Sequence, residues 1–594
     1  MRVAVASCLV ALVVLTGADA GAAPVQGATP AAAPFAEAWA RVPATLAGRA
    51  ARNIVVFGAG QDFCGAAATD SCFNTALNCC NNLLASWDGA EEAVHGAFIQ
   101  DDKGVWIKDL VTRAHANASG VSYTIRPDAF WYWGGKRIPV TYRDFVYTLR
   151  QLDDPKNDIA SRAGYANLDP SRFAHRGTRQ VTFFWKTTAC TADYPCSPYA
   201  NWQRLFSSLY PSFALTGLDF DTIWLRCICG SDGKPVSDGP FYLANYTPGQ
   251  GTTLKRNPYY FRKARLSEID LEFNFDPNTE AEAMRTGAVD AISPRSFGDF
   301  LRPLKSAPGV TFQVVPGYTF EHLAFREGDA KAAASVTRGS SNALLRARWM
   351  RQAIALGIDR RSIIGAVYGP LAADMRPLDN AVFFSTEAPY RPDFGRWSFN
   401  PGKALAILRA HCTGGPRTPS PGNDKIWHCA GLPAIFRWVW SAGSADRTAI
   451  EQLVKGELKS IGIALTERPL PPSVVFSSLG IPSGDFDIAS FSWITSGDPG
   501  DFSEIYRCQG NNNYTGYCSH AVDSLLQAAS RELDPAKRRS LFRRADALMA
   551  ADLPVMPLFA KPTLLIHKSK LLGMRPNPGT GGPFWNVQDW HWKS

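Results

Sequence analysis

Hydrophobic positions along this chain follow two periods in turn. Short apolar or alternating runs predict strands: "NIVVF" from Asn53, "SEIDLEFNF", "AIFRWVWSAG" and "FDIASFSWIT". "GPFYLANYTPGQGTTLKRN" predicts a hairpin turning at Pro248-Gly249. "GVSYTIRPDAFWYWGGKRIPV" alternates like strand pieces around Gly134-Gly135. Between these lie runs of helical spacing. "TYRDFVYTLRQL" places Phe145, Leu149 and Leu152 on one face, with Thr141 as the N-cap. "TEAEAMRTGAVDAI" predicts a helix opened by Thr279 and ending near Gly287. "ARWMRQAIALGIDRRSIIGAVYG" predicts one long amphipathic helical region. "RTAIEQLVKGELKSIGIALTERPL" predicts a helix and then a strand, and Ala521 to Phe559 two helices and then a strand. "TALNCCNNLLASW" also has helical spacing. Strands and helices alternate almost throughout, so the predicted class is α/β. No internal repeat is present.

The N-terminus changes the picture. "MRVAVASCLVALVVLTGADAGAAP" has one basic residue, Arg2, an apolar run from Val3 to Leu15, and Ala18-Asp19-Ala20 before Gly21. That order predicts a secretory signal peptide over residues 1–20, cut near Gly21. A rival reading takes Val5-Ala6-Ser7-Cys8 as a lipoprotein box, although the apolar run continues past Cys8. An Ala/Pro-rich lead follows the cut. No later stretch reaches about 18 uninterrupted apolar residues, so the exported chain is expected to be soluble and outside the cytoplasm. Its 594 residues exceed what one core holds, so at least two lobes are expected. The net charge of +9 is spread without a basic block, which argues against a nucleic-acid partner.

Thirteen cysteines become twelve once Cys8 leaves with the signal, an even number that predicts disulfides in an oxidising compartment. Local spacing pairs Cys412 with Cys429, Cys508 with Cys518, and Cys190 with Cys196, each across a polar loop. Spacing does not pair Cys64, Cys72, Cys79, Cys80, Cys227 and Cys229. Cys79-Cys80 and Cys227-x-Cys229 lack the spacing of a zinc site. Gly58-Ala59-Gly60 begins like a dinucleotide turn, but Phe63 stands where the third glycine belongs, and an exported nucleotide enzyme is improbable. There is no H-E-x-x-H and no G-x-S-x-G, and His322 has no partner at ligand spacing. No cofactor and no metal are expected. His322 is read as a surface or core residue.

Five blocks in order carry a resemblance. "YTIRPDAFWYWGGKRIPVTYRDFVYTLR", "SDGPFYLANYTPGQGTTLKRNPYYF", "MRQAIALGIDRRSIIGAVYG", "NPGKALAILRAH" and the strand ending in Trp493 resemble the family 5 extracytoplasmic solute-binding proteins of ABC transporters, the oligopeptide, dipeptide and nickel-binding group. Gly134-Gly135 stands where the family's block usually has Asp-Gly. The resemblance implies a periplasmic-binding-protein-like fold of the large type II class: two α/β lobes joined by two crossover strands, the first lobe carrying an extra subdomain. It implies this division: 21–90 lobe I, 91–210 the extra subdomain, 211–317 lobe I again, 318–559 lobe II, and 560–594 the return to lobe I. It further implies a monomer that captures a small solute and delivers it to membrane permease subunits, with peptide ahead of oligosaccharide or nickel chelate. A ligand-sensing receptor component of the same fold is the alternative, and a secreted hydrolase a distant one.

The same resemblance points to site residues. Gln61 and Phe63, after the first strand, are cleft residues, or else part of a structural turn tied down by Cys64. Trp493, Ile494 and Thr495 are implied to pair their main chain with an extended ligand. Family peptide binders carry an aspartate three residues after this tryptophan, for the ligand's terminal amine; here that position is Ser496, and Asp498 follows at +5. Asp498 is either the amine partner or a turn residue. Tyr318 and Phe320 fall on the expected first crossover. Trp438 and Trp440 alternate on a strand, which suits a core as well as a ligand wall. Trp131 and Trp133 lie on a hairpin that could edge the cleft.

Overall fold

Ten strands share one mixed sheet. In chain order they are Ile54–Ala59 (β1), Phe241–Thr247 (β2), Gly251–Arg256 (β3), Glu268–Phe273 (β4), Ala291–Ile292 (β5), Val310–Phe325 (β6), Ile435–Ser441 (β7), Ala464–Leu470 (β8), Ile488–Ile494 (β9) and Val555–Lys568 (β10). Across the sheet they lie in the order β2-β3-β4-β1-β5-β10-β6-β9-β7-β8. The computed structural model describes residues 45–59, 73–77, 91–188, 190, 196–273, 277–294, 298, 301–328, 342–369, 374–442, 445–475, 479–508, 510 and 512–593. Gln61, Phe63, Cys64, Cys72, Cys79, Cys80, the helical reading of "TALNCCNNLLASW" beyond Leu77, and the leader lie outside them.

Two long strands join the halves of this sheet. β6 and β10 have 16 and 14 residues and pair antiparallel from Val310–Lys568 to Ala324–Val555. β9 joins only the Thr319–Phe325 end of β6, and β5 only Ile566–His567 of β10. These are the two crossover strands between lobes. Their register slips between Pro316 and Thr319. Pro316 has no amide hydrogen to donate. A Cβ on Gly317 would stand 2.2 Å from the Lys561 carbonyl oxygen, so only glycine fits this close approach.

Strand directions decide where a ligand can sit. β1 runs parallel to β5, and both run antiparallel to β10. β9 runs antiparallel to β6 and parallel to β7. The carboxyl ends of β1 and β5 therefore point toward lobe II, and those of β7 and β9 toward lobe I. Ligands of open α/β sheets bind outside such carboxyl ends.

Each lobe has its own core. In lobe I, Val55, Phe57, Leu243, Ile269, Leu271 and Trp590 pack together. In lobe II, Phe320, Val439, Phe491, Phe502, Phe542 and Met549 do so. A separate cluster of Phe98, Val121, Trp131, Phe145, Phe183 and Phe206 lies beside a four-stranded sheet formed by Val111–Ala116, Gly120–Ile125, Gln180–Trp185 and Leu168–Arg176. Trp131, fully buried there with its indole donating to Asp144 at 3.4 Å, is core of this cluster rather than an edge of the cleft.

Local chemistry sets the helix limits. Tyr142–Asp153 (α1) opens with a capping box: the Thr141 hydroxyl accepts from the Arg143 amide, and Asp144 accepts from the Thr141 amide at 2.9 Å. Pro277–Thr286 (α2) starts two residues before Thr279, at a proline suited to the first turn, and ends at Gly287 with φ +81°. The expected single region after Ala347 is two helices, Arg348–Leu356 (α3) and Arg360–Tyr368 (α4). The break has a reason: the Asp359 carboxylate accepts from the Arg361 and Ser362 amides and starts a new helix. Ala445–Ser460 (α5), His520–Arg531 (α6) and Pro535–Asp552 (α7) are further helices of lobe II. The first strand runs to Ala59 rather than Phe57. Gly58 is inside it, where a Cβ would stand 3.0 Å from the Ile292 side chain, so this glycine serves sheet packing.

Four disulfides close local loops among the described residues: Cys190–Cys196, Cys227–Cys229, Cys412–Cys429 and Cys508–Cys518. Spacing anticipated the first, third and fourth, but not Cys227–Cys229. No described helix is long and apolar enough to cross a membrane.

Candidate functional site

Tyr318 stands in the middle of the crossover, within the slip in register between Pro316 and Thr319. Its amide donates to the Pro578 carbonyl at 2.6 Å, and its carbonyl accepts from the Thr495 amide at 2.9 Å and the Thr495 hydroxyl at 3.2 Å. Its ring packs against Phe384 with centroids 5.1 Å apart. Gly104, Gly497 and Gly579 close in around it: a Cβ on each would stand 3.0, 2.6 and 3.3 Å from a ring atom. One ring thus touches the subdomain, the loop after β9 and the C-terminal segment. Burial raises its hydroxyl pKa, and the nearby Glu387 charge adds to this. Glu387 is itself pushed up to about 7, by burial first, although the Phe384 amide donates to it.

β9 ends beside Tyr318 with one side open. On one side Ile488–Ile494 pairs with β6 throughout. On the other, β7 pairs only with Ile488–Ser490. Among the described residues no strand pairs with Ser492–Ile494 on that side. Main-chain donors and acceptors seek partners wherever water is displaced. An extended chain laid along this edge would supply them by adding a strand. The Trp493 ring is half-buried at the same place, stacked on Tyr514 with centroids 5.7 Å apart and set edge-on to Phe491 at 5.3 Å.

The loop that follows is tied down by its own acids. Asp498 caps a short turn by accepting from the Gly500 amide at 2.7 Å, and forms an ion pair with Arg538 at 2.6 Å. Burial raises its pKa, but the Arg538 charge and hydrogen bonds outweigh this and hold the carboxyl below its ordinary value. Asp501 accepts from both the amide and the hydroxyl of Ser496, each at 2.7 Å, and pairs with Arg204. The Ser496 carbonyl accepts from the Gln100 side chain, which also donates to Gly104 at 2.9 Å. Asn577 donates to the Gln100 and Asp101 carbonyls at 3.2 and 3.0 Å. Carboxylates, amides and an aromatic ring converge here from both lobes. Among the described residues, no group of three or more His, Cys, Asp or Glu side chains is arranged to hold a metal ion.

Comparison with known proteins now places the chain. Residues 107–514 match the family described as bacterial extracellular solute-binding proteins, family 5 middle. The chain belongs to this family. The oligopeptide-binding protein OppA of Mycobacterium tuberculosis is 26% identical over 460 residues, covering 76% of this chain and 71% of OppA. Among solved structures, the periplasmic EDTA-binding protein EppA superposes with a TM-score of 0.76 at 20% identity, over 91% of this chain and 96% of EppA. The oligopeptide-binding protein AppA of Bacillus subtilis, solved with a nonapeptide, gives 0.71 at 18% identity over 91% of this chain and 99% of AppA. Both share its two-lobed α/β fold.

Within this family 5 solute-binding protein, the residues singled out from sequence separate into groups. Tyr318, Trp493, Ile494, Thr495, Ser496 and Asp498 come together at the crossover. Phe320, two residues from Tyr318, turns into the lobe II core against Phe502 at 5.5 Å. Trp438 and Trp440 are 1% and 8% exposed on one face of β7. His322 is also core, set edge-on to Phe491 at 4.4 Å. Sequence reasoning missed Gln100, Gly104, Glu387, Arg538 and Asn577. They are scattered over the chain, and no spacing pattern marks them. Only the glycine-rich "NPGTGG" from Asn577 hinted at a close approach.

Proposed function

We propose that this protein captures an extended peptide between its lobes, without chemistry, and delivers it to the membrane permease of an ABC importer. The observation that carries the reading is the open edge of β9 at Ser492–Ile494, beside Tyr318 and opposite the carboxyl end of β1. Main-chain pairing along that edge accepts many sequences, because it reads the backbone and leaves side chains to flanking pockets. Trp493 and Tyr318 supply aromatic walls. The name of the OppA relative supports peptide as the ligand class. In this reading lobe I comprises 21–90, 211–317 and 560–594, with 91–210 as its added subdomain and 318–559 as lobe II. The leader over residues 1–20 exports the chain.

The test is calorimetric titration with a di- to pentapeptide library beside oligosaccharides and nickel chelates. Heat from peptides, which are then recovered intact, supports the proposal. Binding of sugars alone overturns the ligand class, and turnover of peptide overturns binding without chemistry.

A further inference from the structure

A strap in the extra subdomain reaches across to lobe II. It runs from Cys196 to Arg204 and is anchored where it starts by the Cys190–Cys196 disulfide. Its inner side sits on the subdomain: Asn167 donates to the Ser197 carbonyl at 3.3 Å, and the Tyr199 ring lies 2.4 Å from where a Cβ on Gly164 would be. Its outer side makes three polar contacts with lobe II. The Ala200 amide donates to the Ser530 carbonyl at 2.8 Å, at the end of α6. Arg538 of α7 donates to the Asn201 side-chain oxygen. Arg204 pairs with Asp501. All three join protein groups of the two lobes.

We propose that the strap 196–204 is a latch that populates the closed form of the protein before any ligand arrives, with Arg204 as its main charged contact. The inference rests on the two-lobed solute-binding reading and is independent of the ligand class. Arg538 meets Asn201 while it is held by Asp498, so the lobe II side of the latch is already in position and little freedom is lost on closing. The lobe I side is held in position by the disulfide. The Arg204 side chain is 51% exposed, so its pair with Asp501 is weak and sensitive to salt. Weakness suits a latch that must release. A closed cleft admits nothing, so the latch slows entry and exit by the same factor. Weakening it raises the association and dissociation rates together and leaves the equilibrium affinity almost unchanged. A residue that touches ligand would change the affinity instead.

The experiment measures the distance between spin labels on noncanonical residues at Arg176 and Lys403, both exposed and on opposite lobes, in the ligand-free full-length protein. At low salt the closed distance should dominate. Arg204→Gln should lower the closed-to-open ratio by up to about fivefold, and Arg204→Gln with Asn201→Ala by more. Raising salt from about 0.05 to 0.5 M should reproduce part of the effect in the unmodified protein, which guards against a folding defect in the variants. A ligand-free protein that is already open at low salt overturns the latch, and so does an Arg204→Gln distribution identical to that of the unmodified protein. Stopped-flow binding of a fluorescent pentapeptide then gives the second readout. Parallel rises in both rates at fixed Kd are expected, whereas a changed Kd with unchanged rates of entry assigns Arg204 to ligand contact and overturns the latch. Absence of pentapeptide binding overturns the ligand class alone, because the distance measurement uses no ligand.

Discussion

The carboxylate of Asp498 lies 2.6 Å from the guanidinium of Arg538, so the acid nearest to Trp493 in sequence is already neutralised by its own lobe. It also caps the Pro499–Phe502 turn. Asp498→Asn should therefore cost about 1.5–3 kcal/mol of stability, the scale of a charge-assisted hydrogen bond, and leave the preference between free and N-acetylated peptides unchanged. Urea unfolding beside paired titrations checks both halves. Because the carboxyl is held below its ordinary value, its contribution is present at neutral pH and is lost as pH falls through the folded value. Loss of preference for free peptides without loss of stability would make Asp498 the amine partner.

His322 gives a pH signature of the opposite origin. It is buried between Phe320 and Phe491 on β6. Burial pushes its pKa down to about 4, although the Glu321 charge opposes this. The folded protein keeps the ring neutral, while the unfolded chain takes up a proton below about pH 6.5. Stability should fall as pH is lowered from about 6.5 toward 4, by at most ~1.4 kcal/mol per pH unit from this group. His322→Phe should flatten that part of the profile, measured as unfolding free energy at several pH values.

Gly497 and Tyr318 should act as one unit. Gly497 has φ +79°, and a Cβ there would stand 2.6 Å from the tyrosine ring. Gly497→Ala should cost at least ~1 kcal/mol through backbone strain alone and should weaken ligand binding by moving the ring. With Tyr318→Ala the clash disappears but the strain stays. The double variant should thus lose less than the sum of the two singles, a coupling that a double-mutant cycle reads directly.

The Cys412–Cys429 disulfide joins two paired strand ends across a separation of 17 residues. Replacing both cysteines with serine should cost ~2–4 kcal/mol by freeing the unfolded chain. The same change at Cys508–Cys518, with a separation of 10, should cost less, since a shorter loop restrains fewer conformations. Peptide mapping without reductant checks the pairings, and thermal melts the ranking. Free thiols at these four positions would also undo the argument for an oxidising compartment.

Much of this fold was legible in the chain because its signals are local. Alternating apolar residues in Ile488–Ile494, the Thr141 cap and the paired cysteines across short loops act within a few residues of each other. Ordered family blocks extended that reading to two lobes and two crossover strands. The split between α3 and α4 was legible too, in Gly357 and Asp359, but the unbroken apolar spacing on either side concealed it. The site was different. Tyr318 could be placed on the crossover from sequence, yet its role depends on Gly104, Gly497 and Gly579, which meet only after the lobes fold. Periodicity puts Trp438 and Trp440 on one face of β7, and only the tertiary structure decides that both are buried. The fate of Asp498 was open in the sequence because a carboxylate's role is set by the nearest cation, and Arg538 lies forty residues away on a separate helix. Local sequence determines which elements form, through hydrogen bonds and apolar burial that act over a few residues. The tertiary structure alone decides which charges and rings meet, because such contacts depend on distances in space that chain separation does not specify.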